Sequence, residues 1–136
     1  MIRIYTDAAV KGNPGPVGIG IVIVRDNDHI QLSLPLEQHL NNHQAEFQAV
    51  IHGLKYLIEK NWINELTLCY TDSQIVAQSI EKEYAKDSYF EKQLHKIKKM
   101  MKSFNYITVE WIPENQNKGA DNLARQALQK SSYKFL

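Results

Sequence analysis

A change of hydrophobic period near residue 40 is the feature that most constrains the fold of this chain. Before it, apolar and polar residues alternate over Ile2–Asp7 and Ile30–Leu36, and the intervening run Val17–Val24 is rich in β-branched residues. A period of two predicts β-strands, and the Gly, Pro and polar turns between these segments predict short connections. The first part of the chain therefore predicts three strands in an antiparallel meander.

The rest of the chain predicts alternating helices and strands. Apolar residues recur there at helical spacing, in stripes that would each bury one face of a helix. The predicted elements are helices over 42–60, 73–84, 88–104 and 117–130 and strands over 65–72 and 106–113. A strand reached from an earlier one through a helix is normally parallel to it. The order βββαβααβα thus predicts one α/β domain, residues 1–136, with a five-stranded mixed sheet.

Composition limits the classes of protein that this chain can belong to. Its 43% hydrophobic content is enough for a single core, and no apolar run approaches the roughly 18 residues of a membrane span. The N-terminus has no signal-peptide pattern, and Cys69 alone cannot form an internal disulfide or a cysteine cluster for zinc. We therefore predict a soluble cytoplasmic protein, monomeric and without membrane association. With a net charge of +1, any surface that binds nucleic acid must be local.

Four acidic residues stand where apolar or capping residues would be ordinary. Asp7 and Asp72 each close an apolar strand pattern with the same tripeptide, Tyr-Thr-Asp, and parallel strands gather ligands at their carboxyl ends. Glu46 lies on the helical face that Gly53 turns toward the sheet, where an uncompensated carboxylate is costly. Asp121 opens the last predicted helix. The predicted topology brings these four side chains together.

Each acid also has an ordinary structural explanation. Asp72 can cap the helix that follows it, and Asp121 is favoured in a first helical turn by the helix dipole. Asp7 can support a turn, and Glu46 can reach solvent from the border of its helix. If the four converge instead, their repulsion requires divalent cations, and oxygen ligands without His or Cys indicate Mg²⁺ or Mn²⁺. Two such ions about 4 Å apart can activate a water and stabilise the leaving oxygen of a phosphodiester.

Four segments resemble, in the same order, the sequence blocks of the type 1 ribonuclease H family. They are YTDAAVKGNPGPVGIGIVI, NNHQAEFQAVIHGL, YTDSQ and WIPENQNKGADNLARQAL, and they extend over essentially the whole chain. The resemblance implies a ribonuclease H-like fold with strand order 3-2-1-4-5 and helices on both faces. It also implies endonucleolytic cleavage of the RNA strand of RNA/DNA hybrids, giving 5'-phosphate and 3'-hydroxyl ends, without a small-molecule cofactor. The positions that match the family's ligands for two Mg²⁺ or Mn²⁺ ions, bound with substrate, are Asp7, Glu46, Asp72 and Asp121.

The resemblance extends to polar residues that contact the hybrid in the family. Asn13, Asn42, Ser73 and Gln74 match such positions, and His43 stands where the family usually has a second Asn. Their side chains suit an A-like hybrid, whose wide minor groove displays 2'-hydroxyl groups. Turn propensity and helix capping explain Asn13 and Asn42 equally well, so both interpretations stay open.

The chain departs from the best-known bacterial pattern at the first acid and in the last loop. Ala8 replaces the Gly that commonly follows the first Asp, and its methyl group could hinder backbone approach to the hybrid. The segment Trp111–Asp121 is short and lacks the mobile His that assists turnover in many members. Glu114, Asn115 and Asn117 are the nearby polar residues that could substitute for this His.

The basic protrusion that many members use to hold the DNA strand is also missing. The segment Lys92–Lys102 carries five lysines and no acid. It is typical of a solvated helix face, but Lys96 and Lys99 could instead contact DNA phosphates in place of the protrusion.

Two further hypotheses remain beside hybrid hydrolysis. The chain could be a weakly active or inactive module that binds hybrid nucleic acid, or its fold could act on double-stranded RNA. The intact set of acids favours catalysis, because a pure binding module would gain stability by losing their mutual repulsion.

Overall fold

The computed structural model describes residues 1–133, with side chains through residue 130. The strands are β1 (Ile2–Val10), β2 (Gly15–Arg25), β3 (Asp28–Leu40), β4 (Leu66–Thr71) and β5 (Tyr106–Trp111). The helices are α1 (Asn42–Glu59), α2 (Gln74–Lys82), α3 (Ser88–Met101) and α4 (Lys118–Tyr133), with a 3-10 turn at Glu114–Gln116. This order confirms the predicted βββαβααβα sequence of elements. The predicted domain also includes residues 134–136, which lie outside the described part of the chain.

The five strands form one mixed sheet in the predicted order, β3-β2-β1-β4-β5. The first three strands are an antiparallel meander, while β1 pairs with β4, and β4 with β5, in parallel. The carboxyl end of β4 therefore lies beside Thr6 of β1, and Asp7 and Asp72 are the next residues of the two segments. That edge of the sheet is where the predicted acids were expected to meet.

Helices cover both faces of the sheet, as predicted. Gly53 of α1 packs on β1, where an added Cβ would lie 2.9 Å from Ile4 Cδ1. On the opposite face α4 packs on β2, and a Cβ at Gly20 would lie only 1.9 Å from the carbonyl oxygen of Ala120. These close approaches bring α1 and α4 against the central strands from opposite sides. None of the described helices combines the length and hydropathy that crossing a membrane requires.

The first strands are longer than predicted. β1 does not end at Asp7 but continues to Val10, because its antiparallel pairing with β2 extends beyond its parallel pairing with β4, which stops at Thr6. Asp7 is thus the first residue past the parallel ladder, inside a strand. β3 runs through Pro35, which the sheet tolerates because β3 is an edge strand and one of its sides needs no N–H donor.

Candidate metal centre

Three of the four predicted acids meet at the sheet edge. Asp7, Glu46 and Asp72 each offer a carboxylate oxygen, and these atoms all lie within 4.8 Å of one another. Asp7 comes from β1 and Asp72 directly follows β4, whereas Glu46 reaches the site from α1. The backbone N–H of Ala8 donates to Glu46 Oε1 at 3.0 Å and so fixes that carboxylate beside β1.

Asp121 lies beside this cluster but does not complete it in the structure. It occupies the first turn of α4, where the helix dipole favours an acid, and accepts a hydrogen bond from Arg125 Nε at 3.2 Å. Its negative charge nevertheless contributes to the raised pKa values of Asp7 and Asp72, so it lies within electrostatic reach of both. A role for Asp121 as a fourth metal ligand stays a prediction.

Burial and mutual repulsion shift the proton affinities of the cluster. Burial raises the pKa of Asp7 to about 7, the neighbouring Glu46 carboxyl opposes that shift, and the charge of Asp72 adds to it. Burial, followed by the charge of Asp7, also raises the pKa of Glu46 well above its usual range. The pKa of Asp72 is raised chiefly by burial as well. Without a cation, these carboxylates therefore cannot all be ionised near neutral pH at low cost.

The donor atoms fit a hard divalent cation. Glu46 Oε2 is buried and has no hydrogen-bond partner among the described residues. No donor therefore offsets the cost of burying this oxygen. All three converging side chains supply oxygen only, which is the ligand type that Mg²⁺ and Mn²⁺ prefer. A bound cation would satisfy the orphaned oxygen and remove the repulsion that raises the pKa values.

The capping explanation offered for two of the predicted residues is wrong. Ser73, not Asp72, caps α2, its Oγ accepting the N–H of Val76 at 3.2 Å. Asn41, not Asn42, caps α1 in a reciprocal capping box. Asp72 and Asn42 are therefore left without a capping role in these helices.

Most of the predicted hybrid contacts line one groove. This metal-centre groove has a volume of about 460 Å³ and is lined by Asn42, His43, Glu46, Asp72, Ser73, Gln74 and Ile75. It joins the first turn of α1 to the first turn of α2, with two of the acids between them. Asn13 does not line it and is exposed in the turn between β1 and β2.

The three candidates for a loop-His substitute have different environments. Glu114 and Asn115 are exposed in the 3-10 turn, and the charge of Glu114 contributes to the raised pKa of Asp72. Asn117 is only 1% exposed, and its Nδ2 donates to the carbonyl oxygen of Thr6 at 2.8 Å. The Asn117 side chain is thus held against β1 and lacks the mobility of the family's loop His, and its role as a substitute for that His stays a prediction. The Asn117 amide also lies close enough to Asp72 to lower the pKa of that carboxyl.

Two supporting contacts were not predicted from the sequence. The indole Nε1 of Trp111 donates to the carbonyl oxygen of Asp72 at 3.1 Å, and the Ala8 N–H holds Glu46. The Trp111 contact depends on the pairing of β4 with β5, which places Trp111 opposite Thr71. The sequence could have indicated the Trp111 contact only if the register between β4 and β5 had been known.

The lysine-rich helix α3 is only partly free of ion pairs. Lys98 Nζ lies 2.6 Å from Glu83 Oε1, so an acid from outside the segment Lys92–Lys102 pairs with one of its lysines. Lys96 and Lys99 are exposed and form no ion pair with a described side chain. These two residues remain available to an anionic ligand.

Comparison with known proteins identifies the family. A family model described as reverse transcriptase-like matches residues 5–127. The chain belongs to the reverse transcriptase-like family. Within this family its domain is of the ribonuclease H type, which confirms the resemblance found in the sequence.

The most similar relatives of this reverse transcriptase-like chain include short and longer proteins. EbsB of Enterococcus faecalis is 48% identical over 130 residues, which cover 96% of each chain. A ribonuclease H of Desulforamulus reducens is 44% identical over 85 residues, 62% of this chain and 50% of that protein. The match thus spans about half the length of that ribonuclease H. The solved structure of LC11-RNase H1 in complex with RNA/DNA hybrid has a TM-score of 0.87 at 27% identity, covering 96% of this chain and 99% of that one.

Proposed function

We propose that this protein is a metal-dependent endoribonuclease that hydrolyses the RNA strand of RNA/DNA hybrids. The observation that carries the proposal is the convergence of Asp7, Glu46 and Asp72, with ligand oxygens within 4.8 Å, at the carboxyl edge of a ribonuclease H-type sheet. Support also comes from the relatives named ribonuclease H and from the similarity to a structure solved with an RNA/DNA hybrid. The same oxygen-only cluster supports Mg²⁺ or Mn²⁺ as the cofactor.

Different residues would bind the metal ions and orient the ligands in such a centre. Asp7, Glu46 and Asp72 would hold the metal ions, with Asp121 completing the set from α4. When bound, two divalent ions supply activation of a water and stabilisation of the leaving oxygen. The Ala8 N–H orients Glu46, and the Asn117 amide, which is held by the carbonyl oxygen of Thr6, lowers the pKa of the nearby Asp72 carboxyl. The protein's own contribution is therefore a rigid, partly buried frame that fixes the ligand oxygens before substrate binds.

The metal-centre groove would hold the nucleic acid beside the acids. Asn42, His43 and Gln74 are polar side chains on its walls and can hydrogen-bond with sugar and phosphate oxygens of a hybrid. Ser73 also lines the groove, although its Oγ already accepts from Val76. The surface therefore offers groups suited to a hybrid minor groove on both sides of Glu46 and Asp72.

Direct incubation with substrate tests the proposed function. An RNA/DNA hybrid labelled at the 5' end of its RNA strand is expected to be cleaved by the purified protein in Mg²⁺ or Mn²⁺, leaving fragments with 3'-hydroxyl ends. Single-stranded RNA and double-stranded RNA of the same sequence serve as controls and are expected to remain intact. Binding of the hybrid without cleavage in either metal would assign the chain to inactive binding modules instead. Preferential cleavage of double-stranded RNA would replace the proposed substrate.

Replacing Lys96 and Lys99 together with Glu is expected to weaken hybrid binding and to flatten its dependence on salt. Each lost phosphate contact lowers the slope of log K against log salt by roughly 0.7–0.9. The measurement is fluorescence anisotropy of a labelled hybrid over a salt series, in Ca²⁺ or with the metal omitted. The matched control replaces Lys55 and Lys130, which are also exposed, with the same change of charge. Equal salt slopes for the two double variants would show that α3 is an ordinary solvated face.

A further inference from the structure

The outer edge of β5 is open. In the described part of the chain, β5 pairs with β4 on one side and no strand pairs with the other. β5 contains no Pro or Lys, and its pairing with β4 has no bulge. Pro, Lys and bulges are among the devices by which native sheets block an edge strand, and the opposite edge has one of them in Pro35, whereas β5 carries only one charged residue, Glu110. The free N–H and C=O groups of β5 are thus available to an extended chain.

A groove runs beside this open edge. It has a volume of about 590 Å³ and lies between α2 and β5, with Ala77, Ile80 and Val109 supplying apolar surface. Tyr106 and Trp111, at the two ends of β5, are 59% and 45% exposed. Exposed aromatic residues beside an apolar groove are typical anchors of protein interfaces. The edge therefore offers backbone pairing and side-chain contacts together.

The charges on this β5 groove restrict its occupant. Among its lining residues the charged side chains are Glu81 from α2 and Glu110 from β5, both exposed. A nucleic acid would be repelled by them. A second copy of the chain, pairing edge to edge, would bring the same two glutamates into the interface. A segment with basic side chains would be attracted instead.

We propose that the β5 edge binds an extended, basic segment of a partner protein as a sixth strand of the sheet. Main-chain hydrogen bonds to β5 would supply affinity, and alternate side chains would supply specificity. Val109 and Trp111 lie on the sheet face that α2 covers, whereas Glu110 lies on the opposite face. Apolar residues of the partner would therefore face α2, with a basic residue beside them reaching Glu81, and basic residues on the opposite face would lie beside Glu110. Gln74 lines both this groove and the metal-centre groove, and Trp111 donates to the Asp72 carbonyl. The partner segment would therefore dock directly beside the metal centre.

Binding of designed peptides to the full chain tests this proposal independently of nuclease activity. The probe is a fluorescein-labelled peptide of roughly eight residues, alternating Val and Lys, long enough to span a typical strand. Its fluorescence anisotropy is expected to show saturable binding to the protein at low salt. Replacing Glu81 and Glu110 together with Gln is expected to weaken this binding at least about tenfold, which corresponds to about 1.4 kcal/mol.

Matched controls separate strand addition from general charge attraction. The double variant Glu37→Gln and Glu59→Gln removes two exposed glutamates outside the groove and is expected to leave binding unchanged. A Val-Lys peptide methylated on alternate backbone nitrogens, and a peptide of alternating Val and Glu, are both expected not to bind. Absence of saturable binding, equal loss in both double variants, or undiminished binding of the methylated peptide would each overturn the proposal. A dimer of the protein alone, whose β5 edge is no longer free to bind the Val-Lys peptide, would assign the edge to a second copy and overturn the proposal too.

Discussion

Replacing Asp72 with Asn is expected to reduce cleavage of an RNA/DNA hybrid by at least about 100-fold, because groups that only support metal ligands are already worth roughly 10- to 100-fold. Asn keeps the shape of the side chain but removes the negative charge that attracts the cation. Asp72 lies directly after β4, within 4.8 Å of the ligand oxygens of Asp7 and Glu46, so no other described carboxylate occupies its position. The measurement is the initial rate of hybrid cleavage in Mg²⁺ and in Mn²⁺.

The matched control for this variant is Asp28→Asn, the same chemical change at an exposed residue at the start of β3. Its rate is expected to equal that of the unchanged protein. The fold of both variants is checked by circular dichroism and thermal unfolding, since the Asp72 variant should unfold at the same or a higher temperature without metal. Equal cleavage by the Asp72 variant and the unchanged protein would show that a contaminating nuclease is responsible or that Asp72 is not a ligand.

The free energy of unfolding of the metal-free protein is expected to fall as pH rises, and replacing Asp7 with Asn is expected to reduce this fall. The pKa of Asp7 is raised from 3.8 to about 7 in the folded protein. Between these values the folded state retains a proton that the unfolded chain has lost, so increasing pH lowers the free energy of unfolding. The loss is complete above the folded-state pKa and amounts to roughly 2–4 kcal/mol. An Asn side chain carries no charge, so the variant should be the more stable protein at about pH 8 in chelator.

Urea unfolding in EDTA from about pH 4 to about pH 8 measures this effect. Asp28→Asn is again the control and is expected to keep the slope of the unchanged protein. Adding Mn²⁺ at neutral pH is expected to stabilise the unchanged protein and the control, because the ion binds the folded state, and to stabilise the Asp7 variant much less. A variant with the same pH slope and the same response to Mn²⁺ as the unchanged protein would contradict the electrostatic account of the cluster.

The sequence was a reliable guide to the elements because their signals are local. Apolar residues recur every second position before residue 40 and at helical spacing after it, and each period predicts one type of element. The structure has every predicted strand and helix in order. Boundaries were less accurate where pairing overrides local signals, as in β1, which continues past Asp7 because β2 keeps pairing with it to Val10. The sequence offered Asp72 and Asn42 as helix caps, but the residues next to them, Ser73 and Asn41, cap α2 and α1. Neighbouring polar residues compete for the same backbone N–H groups, so the sequence alone does not decide between them.

The candidate site was predictable to the extent that topology determines it. The parallel pairing of β1 with β4 stops at Thr6 and Thr71, so the Tyr-Thr-Asp tripeptide of each segment places its carboxylate just past the same point. The buried role of Asn117 was not predictable, because its hydrogen bond to Thr6 joins residues that are 111 positions apart. The pairing of Lys98 with Glu83 was likewise hidden, since it connects α3 to the end of α2 through space.

By itself, the sequence determined the α/β class, the order of elements and three of the four acids predicted to converge, because hydrophobic period and chain connectivity are properties of the chain alone. Only the tertiary structure decided which carboxylates lie within 4.8 Å, which oxygen of Glu46 lacks a partner, and how strongly burial shifts their pKa values. It also showed the open edge of β5 and its two glutamates. Distances, burial and unpaired edges depend on how distant segments pack, and no local pattern in the chain encodes them.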